Sequence, residues 1–454
     1  MSRVRALAWA GLAVAIAGAP CAALAADPKP LDMDACVELA LRQSGTVAEA
    51  QGKVAEWQAR IEETEALYSP RLEALTYAAP MYGMHGSGFD PKWHRDLTEW
   101  GPYLHVEGTV TQPLYTFGRI EAGERAARER TAVEAARANQ VGDAVALEVR
   151  RYYLLYLYAR SLAPTLTQAR QILTDAQTQA QAEYDATTGH VTVVDLSKLR
   201  YAAQELEKAR IQRDMGEALA LSALKHTMGL PDDTPLKLAD DVLPPVPIHP
   251  LPDVATLTAR AANARPENVA VAAGRRAAEA YAESLSLADA PVLFLAGRLS
   301  ADYAPTRDHD DNPWHVDPYN GFIGGLALGL KFDVDYWGAQ ARSHGADAQL
   351  AQVEGLAQLA RTGIPLEVRK AHDEAAQALA LHAASTEGAN AAKKWMLFAA
   401  TAYAAGTGEP RDLLEGVGAY VQAKKSTYEA LLAVHIAAAE LRRAVGNPLT
   451  GPAY

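Results

Sequence analysis

An Arg-Asp-His-Asp-Asp run, Arg307 to Asp311, with His315 and Asp317 close behind, gathers carboxylates and imidazoles of the kind that bind divalent cations. It lies between two strand-like segments, where a solvated polar loop is the ordinary reading. His85, His94 and His105 lack metal-ligand spacing, and the glycines from Gly321 to Gly329 sit on a strand face, unlike a phosphate-binding loop. Tyr152, Tyr153, Tyr156 and Tyr158 read as packing rather than a ligand site. No nucleophile–base pair, carboxylate constellation or nucleotide-binding motif stands out, so the expectation is a protein that is not an enzyme and takes no cofactor or metal.

A different stretch organises the chain: Tyr403-Ala-Ala-Gly406-Thr407-Gly408-Glu409-Pro410-Arg411-Asp412-Leu413-Leu414-Glu415. Gly406 and Gly408 supply the permissive backbone that ends a helix, and Pro410 with Arg411 and Asp412 reads as the first turn of the next. A second copy lies at Thr188-Gly189-His190-Val191-Thr192-Val193-Val194-Asp195-Leu196. The two copies are 217 residues apart (189 to 406), and the same offset relates Gly229 to Gly446 at the ends of the following helices. Tandem duplication of a helical hairpin accounts for both.

The elements around these turns repeat in the same order. A helical pattern from Leu31 to Tyr68, with Ala35, Leu39, Ala40, Val47, Val54, Trp57 and Ile61 on its apolar stripe, ends at Pro70. Strands follow at about 70–79 and 103–115, flanking a loop from Pro80 to Pro102. In the second strand Leu104, Val106, Gly108 and Val110 share one face, while His105, Glu107, Thr109 and Thr111 share the other. A helix from about Arg119 to Asp185, interrupted or bent at Pro164, would be nearly 100 Å long. Past a tip near 186–195, a shorter helix returns to about Met228.

A Pro-rich connector, 230–253, separates this first repeat (26–229) from the second (254–446). There a helix from Val254 to about Asp289 leads to strands at about 292–302 and 320–335. A long helix then reaches Tyr403, with Pro365 as a local disturbance. After a tip near 404–412 the last helix runs from Arg411 to Val445, and 447–454 form a tail. Trp337-Gly338 stands 220 residues after Phe117-Gly118, each pair opening a long helix.

Composition bounds the class. The chain has 454 residues, 49% hydrophobic and 22% charged, with a net charge of −12. Residues 1–25 read as a secretory signal peptide: Arg3 and Arg5, an apolar run to about Ala19, and Ala23-Leu24-Ala25 as the cleavage site. Pro20 directly before Cys21 fits a lipoprotein signal poorly. Cleavage leaves Cys36 as the only thiol and excludes an internal disulfide. It also takes the charge to −14 (41 basic against 55 acidic residues). An acidic chain without basic clusters argues against nucleic acid as a partner.

No stretch after residue 25 reaches the ~20 apolar residues of a membrane helix. The four strands have the length of membrane-barrel strands, and open strand edges are not left in lipid. Three chains of four would close a barrel of about twelve strands.

Over essentially this whole length the chain resembles the TolC family of bacterial outer-membrane channels. The resemblance rests on Leu31-Asp32-Met33-Asp34-Ala35-Cys36-Val37-Glu38-Leu39-Ala40-Leu41, on Tyr68-Ser69-Pro70-Arg71-Leu72, on Gln112-Pro113-Leu114 with Phe117-Gly118-Arg119, and on the two turns. It implies a mainly α fold with membrane β: a homotrimer with a twelve-stranded barrel in outer-membrane lipid and a long α-helical barrel through the periplasm. Around the helices a mixed belt would hold the Pro-rich connector and the C-terminus.

The implied function is an exit channel for an efflux pump or type I secretion system, joined by a periplasmic adaptor to an inner-membrane transporter. The resemblance makes Asp412 and Glu415 rings at the pore constriction. It makes Asp195, Tyr403 and Arg411 candidates for a closed-state lock, and Gly189, His190, Gly406, Thr407, Gly408 and Glu409 the adaptor-docking tips. Gly408 stands where the family has a basic lock residue, which turns attention to Arg411. Ala186 replaces the aromatic expected three residues before Gly189, with Tyr184 displaced. The rival class is a periplasmic coiled-coil adaptor or structural rod without a pore. Alternating strands argue against it, because a rod has no need of a lipid-facing sheet.

Overall fold

A computed structural model describes residues 30–86, 92–186, 191–246, 250–309, 314 and 316–447. The expected signal segment 1–25, Gly189 and His190, and the tail from 448 lie outside the described residues.

Among the described residues the order is α1 (Met33–Gln43), α2 (Gly45–Glu65), a 3₁₀ turn (Ala66–Tyr68), β1 (Arg71–His85), β2 (His94–Tyr115), α3 (Arg119–Asp185) and α4 (Val193–Thr227). After the connector come α5 (Val254–Ala264), α6 (Pro266–Ser286), β3 (Val292–Tyr303), β4 (Gly321–Lys331), α7 (Tyr336–Ala404) and α8 (Pro410–Val445). The 67 residues of α3 and 69 of α7 make rods of about 100 Å each. Neither rod is interrupted at its internal proline, Pro164 or Pro365. Packing against neighbouring helices along the rod outweighs the one hydrogen bond that each proline removes. No described helix is long and apolar enough to cross a membrane.

Each half opens on a broken helix where the sequence pattern suggests a continuous one. Ser44 ends α1 and begins α2 with φ −63° and ψ 128°, and Arg265 does the same between α5 and α6 with φ −67° and ψ 127°. Pro266 explains the second break, since the residue before proline is pushed to extended backbone. The first has no proline, only the Ser44-Gly45 pair as a local marker. Tertiary contact adds to it: Gly229, left-handed at φ 73°, ends α4 against the break, and a Cβ there would lie 2.6 Å from the Gln43 carbonyl oxygen.

Gly446, at φ 79°, ends α8 against the second break, where a Cβ would come within 2.8 Å of the Ala264 backbone. Both glycines close Schellman turns, with Leu230 N–H donating to Lys225 O at 2.9 Å and Asn447 N–H to Arg442 O at 3.0 Å. The duplication therefore preserves a three-dimensional joint as well as a string of elements.

The strands form one antiparallel sheet in the order β1-β2-β3-β4, so β2 and β3 seam the two halves. Residues opposite one another share a face. One face carries Leu72, Val110, Gly297 and Leu326 in one row and Thr76, Val106, Ala301 and Phe322 in another. Of these, Leu72, Val110, Val106, Leu326 and Phe322 are exposed.

The other face is polar. His105 Nδ1 lies 2.6 Å from Asp302 Oδ1, Tyr103 donates to the same carboxylate, and Arg298 pairs with Glu107 at 2.8 Å, all across the β2–β3 seam. β1 and β2 run on well past the expected 70–79 and 103–115, so most of the expected loop from Pro80 to Pro102 is strand. Glycines and Pro91 read as a loop in the sequence, but cross-strand pairing carries β1 to His85 and β2 back to His94. The sheet ends in two edges, β1 and β4, without a partner strand among the described residues.

Three apolar clusters hold the helices. One joins α1, α3, α4 and α8 to the connector through Val37, Tyr153, Leu157, Leu224, Leu238 and Leu431. There Tyr153 donates to Asp240 at 2.8 Å, and Leu31 pairs with the connector through Ala239 N–H at 2.9 Å. A second joins α5, α7 and α8 through Leu257, Val368 and Leu441. The third lies at the far end of the rods.

Candidate functional site at the helical tips

The tips of the two hairpins meet around Ala180, Leu196, Leu199, Met396, Tyr403, Leu413, Val417 and Tyr420. Alanine on α3 permits close approach to its neighbours. On α8 Gly416 does the same, since a Cβ there would stand 3.2 Å from Met396 Cα. Side-chain amides tie the backbones together: Gln177 donates to Leu199 O at 2.9 Å, and Gln179 to Tyr403 O at 3.2 Å.

In the described part of the first tip, side chains fasten the start of α4. Thr192 caps α4, accepting from Asp195 N–H at 3.2 Å, and Asp195 Oδ2 accepts in return from Thr192 N–H at 3.2 Å and its hydroxyl at 2.6 Å. This reciprocal box satisfies two donors that a helix start leaves open. The Thr192 hydroxyl holds the Asp195 carboxyl below the ordinary carboxylate range, and Lys198 adds to this from 3.4 Å.

The second tip is fastened by backbone. Gly406 is left-handed at φ 72°, its N–H donates to Tyr403 O, and Thr407 N–H donates to Ala402 O, both at 3.0 Å. Gly408 also donates to Ala402 O at 3.0 Å, and a Cβ on it would lie 2.8 Å from Tyr403 N. The turn thus folds back over the helix end where only glycine fits, so a basic side chain has no room at 408. Pro410 opens α8, and Glu409 makes no side-chain cap bond.

The acidic candidates stand clear of the core. Asp412 is exposed, and Glu415, also exposed, accepts from Arg411 Nε at 2.8 Å. Thr407 and Glu409 are exposed as well. Within the chain Asp195, Tyr403 and Arg411 do not form one hydrogen-bonded link. Asp195 is held by the Thr192 box, Arg411 turns along its own helix, and Tyr403 is buried with its hydroxyl unpartnered. Burial pushes the Tyr403 phenol up, and Glu183 and Asp195 add to it.

Beside the tips runs a feature that sequence reading missed. A groove of about 670 Å³ separates α4 from α8, lined by Val194, Tyr201, Leu206, Leu414, Val417 and Val421. Tyr201 and Val194 are more than 60% exposed, which is unusual for such side chains on a helical rod. Their spacing in α4 reads as ordinary helix packing, and only the separation of the two hairpins turns it into an open surface.

No protein-family model and no curated relative matches this sequence. The fold does have solved counterparts. The outer-membrane channel OprN superposes with a TM-score of 0.73 at 16% identity, covering 92% of this chain and 91% of that one. The CmeC outer membrane channel of Campylobacter jejuni gives 0.71 at 13%, covering 91% and 85%. The outer membrane protein VceC of Vibrio cholerae gives 0.70 at 14%, covering 92% and 96%. The described elements thus follow the fold of outer-membrane channel proteins over nearly the whole chain.

Proposed function

We propose that this chain, which has the TolC-type channel fold, is one third of a homotrimeric exit duct in the Gram-negative outer membrane. The observation that carries the reading is the sheet. It presents an apolar face and a polar face, and its two outer edges lack strand partners among the described residues. Lipid leaves no open edge unpaired, and three such sheets joined edge to edge close a barrel of about twelve strands. The apolar rows then face lipid, while Tyr103, His105, Glu107 and Asp302 line the lumen. The rods continue the lumen into the periplasm, and substrate passes from an inner-membrane transporter through a periplasmic adaptor into the duct.

The adaptor docks at the hairpin tips, where Thr407 and Glu409 are exposed and the α4–α8 groove offers apolar surface. Three-fold symmetry would repeat Asp412 and Glu415 around the axis. Carboxylates crowded into a narrow ring attract cations and repel anions. Arg411, paired with Glu415, sets how much of that charge faces the pore.

Single-channel conductance of the purified protein in planar bilayers tests both levels. The expected result is a small, cation-selective conductance that grows or loses selectivity in the double variant Asp412→Ala/Glu415→Ala. Pores unaltered by the double substitution would keep the duct and remove the acidic ring. Folded trimers that conduct nothing would favour the poreless rod.

A further inference from the structure

At the end of the sheet farthest from the helices, β1 and β2 change register. Tyr82 pairs with Trp100 but Gly83 pairs with Asp96, so Leu97, Thr98 and Glu99 bulge from β2. Asp96 Oδ1 closes the bulge, accepting from the Thr98 N–H at 2.8 Å and from its hydroxyl at 2.6 Å. Gly83 leaves room for the side chain that folds back: a Cβ on it would stand 3.0 Å from Glu99 Oε2. That oxygen lies 3.1 Å from His85 Nε2.

The other ring nitrogen is held from the second half of the chain. Met84 and Arg307 form a parallel bridge, with Asp308 N–H donating to Met84 O at 3.0 Å. This sets Asp308 Oδ1 at 3.2 Å from His85 Nδ1, while its Oδ2 accepts from Gly86 N–H at 3.0 Å.

We propose that His85, Glu99 and Asp96 form a binding site for a divalent transition-metal ion such as Zn²⁺, with Asp308 as the positioning residue. Ligand atoms of the three lie within 4.8 Å of one another, and no other trio of His, Cys, Asp or Glu among the described residues does so. One imidazole with two carboxylates is a donor set that suits zinc and its neighbours and leaves a position for water.

The arrangement around the ring points the same way. A ligating histidine donates its second N–H to a carboxylate, which fixes the tautomer and aims the free nitrogen at the ion. Asp308 is placed to accept that N–H, and it is itself pinned by Gly86. Nε2 then points at Glu99, where the ion would replace the present hydrogen bond. The ligands come from the β1–β2 hairpin and the positioning carboxylate from the β3–β4 loop, so an ion here fastens the outer ends of the two halves together. Sequence spacing hides the site because the register shift, not local helix or turn geometry, brings 85, 96 and 99 together.

Calorimetric titration of Zn²⁺ into the chelator-treated, detergent-solubilised full chain tests the site. The expected result is one saturable ion per chain, abolished in His85→Ala and in Glu99→Gln. Asp308→Asn should weaken it by about tenfold or more. His344→Ala, an exposed helical histidine, should leave it unchanged. Glu99→Gln preserves side-chain shape, so its result stands even if His85→Ala disturbs the hairpin. Absence of saturable binding, or binding equally strong in the Glu99→Gln and His85→Ala chains, would overturn the proposal and leave a hydrogen-bonded cluster only.

Discussion

The two halves of this chain solve the same backbone problems with different side chains. At the joint between the paired opening helices, each half brings a left-handed glycine against an extended residue. In the first half that residue is Ser44, buried and without a side-chain cap bond. In the second it is Arg265, whose guanidinium is 5% exposed and meets Glu267 at 2.7 Å, Glu367 at 2.9 Å and the Ala444 carbonyl at 3.0 Å. At the tips the contrast reverses. Among the described residues, the first is held at the start of α4 by the polar side chains Thr192 and Asp195, the second by backbone turns that leave Arg411, Asp412 and Glu415 outward. Duplication preserved what backbone geometry demands and let the side chains diverge.

The largest expected difference lies at the joints. Arg265→Ala leaves two carboxylates and a carbonyl without their buried donor, and should cost about 2–3 kcal/mol. Ser44→Ala removes no bond and should cost less than about 1 kcal/mol. Thermal unfolding midpoints of the two variants check this, and equal losses would mean that the arginine cluster is surface decoration.

The glycines should behave alike. Gly229→Ala and Gly446→Ala each force a side chain into left-handed backbone and against the facing helix, at about 2 kcal/mol apiece. A marked inequality between them in the same melt would show that the joint is not the shared device of the two halves.

The features legible in sequence were those set by periodicity and punctuation. The long rods, the Gly406 turn and the alternation in β2, β3 and β4 follow from spacings of three to four or of two, and from glycine and proline. What escaped was decided at long range. Ser44 breaks its helix where Gly229 arrives from 185 residues away (44 to 229), and only the Ser44-Gly45 pair marks it locally. β1 and β2 overrun their glycines because cross-strand pairing resumes beyond the bulge at 97–99. The acidic tip residues were visible, but the groove between α4 and α8 was not, since an apolar face on a helix looks the same whether a neighbour covers it or leaves it open.

The smallest expected effect separates the tips. Thr192→Ala removes the box that closes α4 and should cost about 1 kcal/mol, whereas Glu409→Ala, at the uncapped start of α8, should stay within about 0.5 kcal/mol. The first cost carries a pH signature. Asp195 titrates below its ordinary value in the folded chain because the Thr192 hydroxyl donates to its carboxylate. A group of that kind contributes stability that is full above its unfolded value and lost as pH falls through the folded one. The difference between wild type and Thr192→Ala should therefore be constant at neutral pH and shrink once acid protonates Asp195, while the Glu409→Ala difference stays small throughout. Melting curves at stepwise lower pH read this directly. A Thr192→Ala deficit that persists undiminished in acid would place the tip's closure in packing around Leu196 and Leu199, and the contrast between a side-chain tip and a backbone tip would fail.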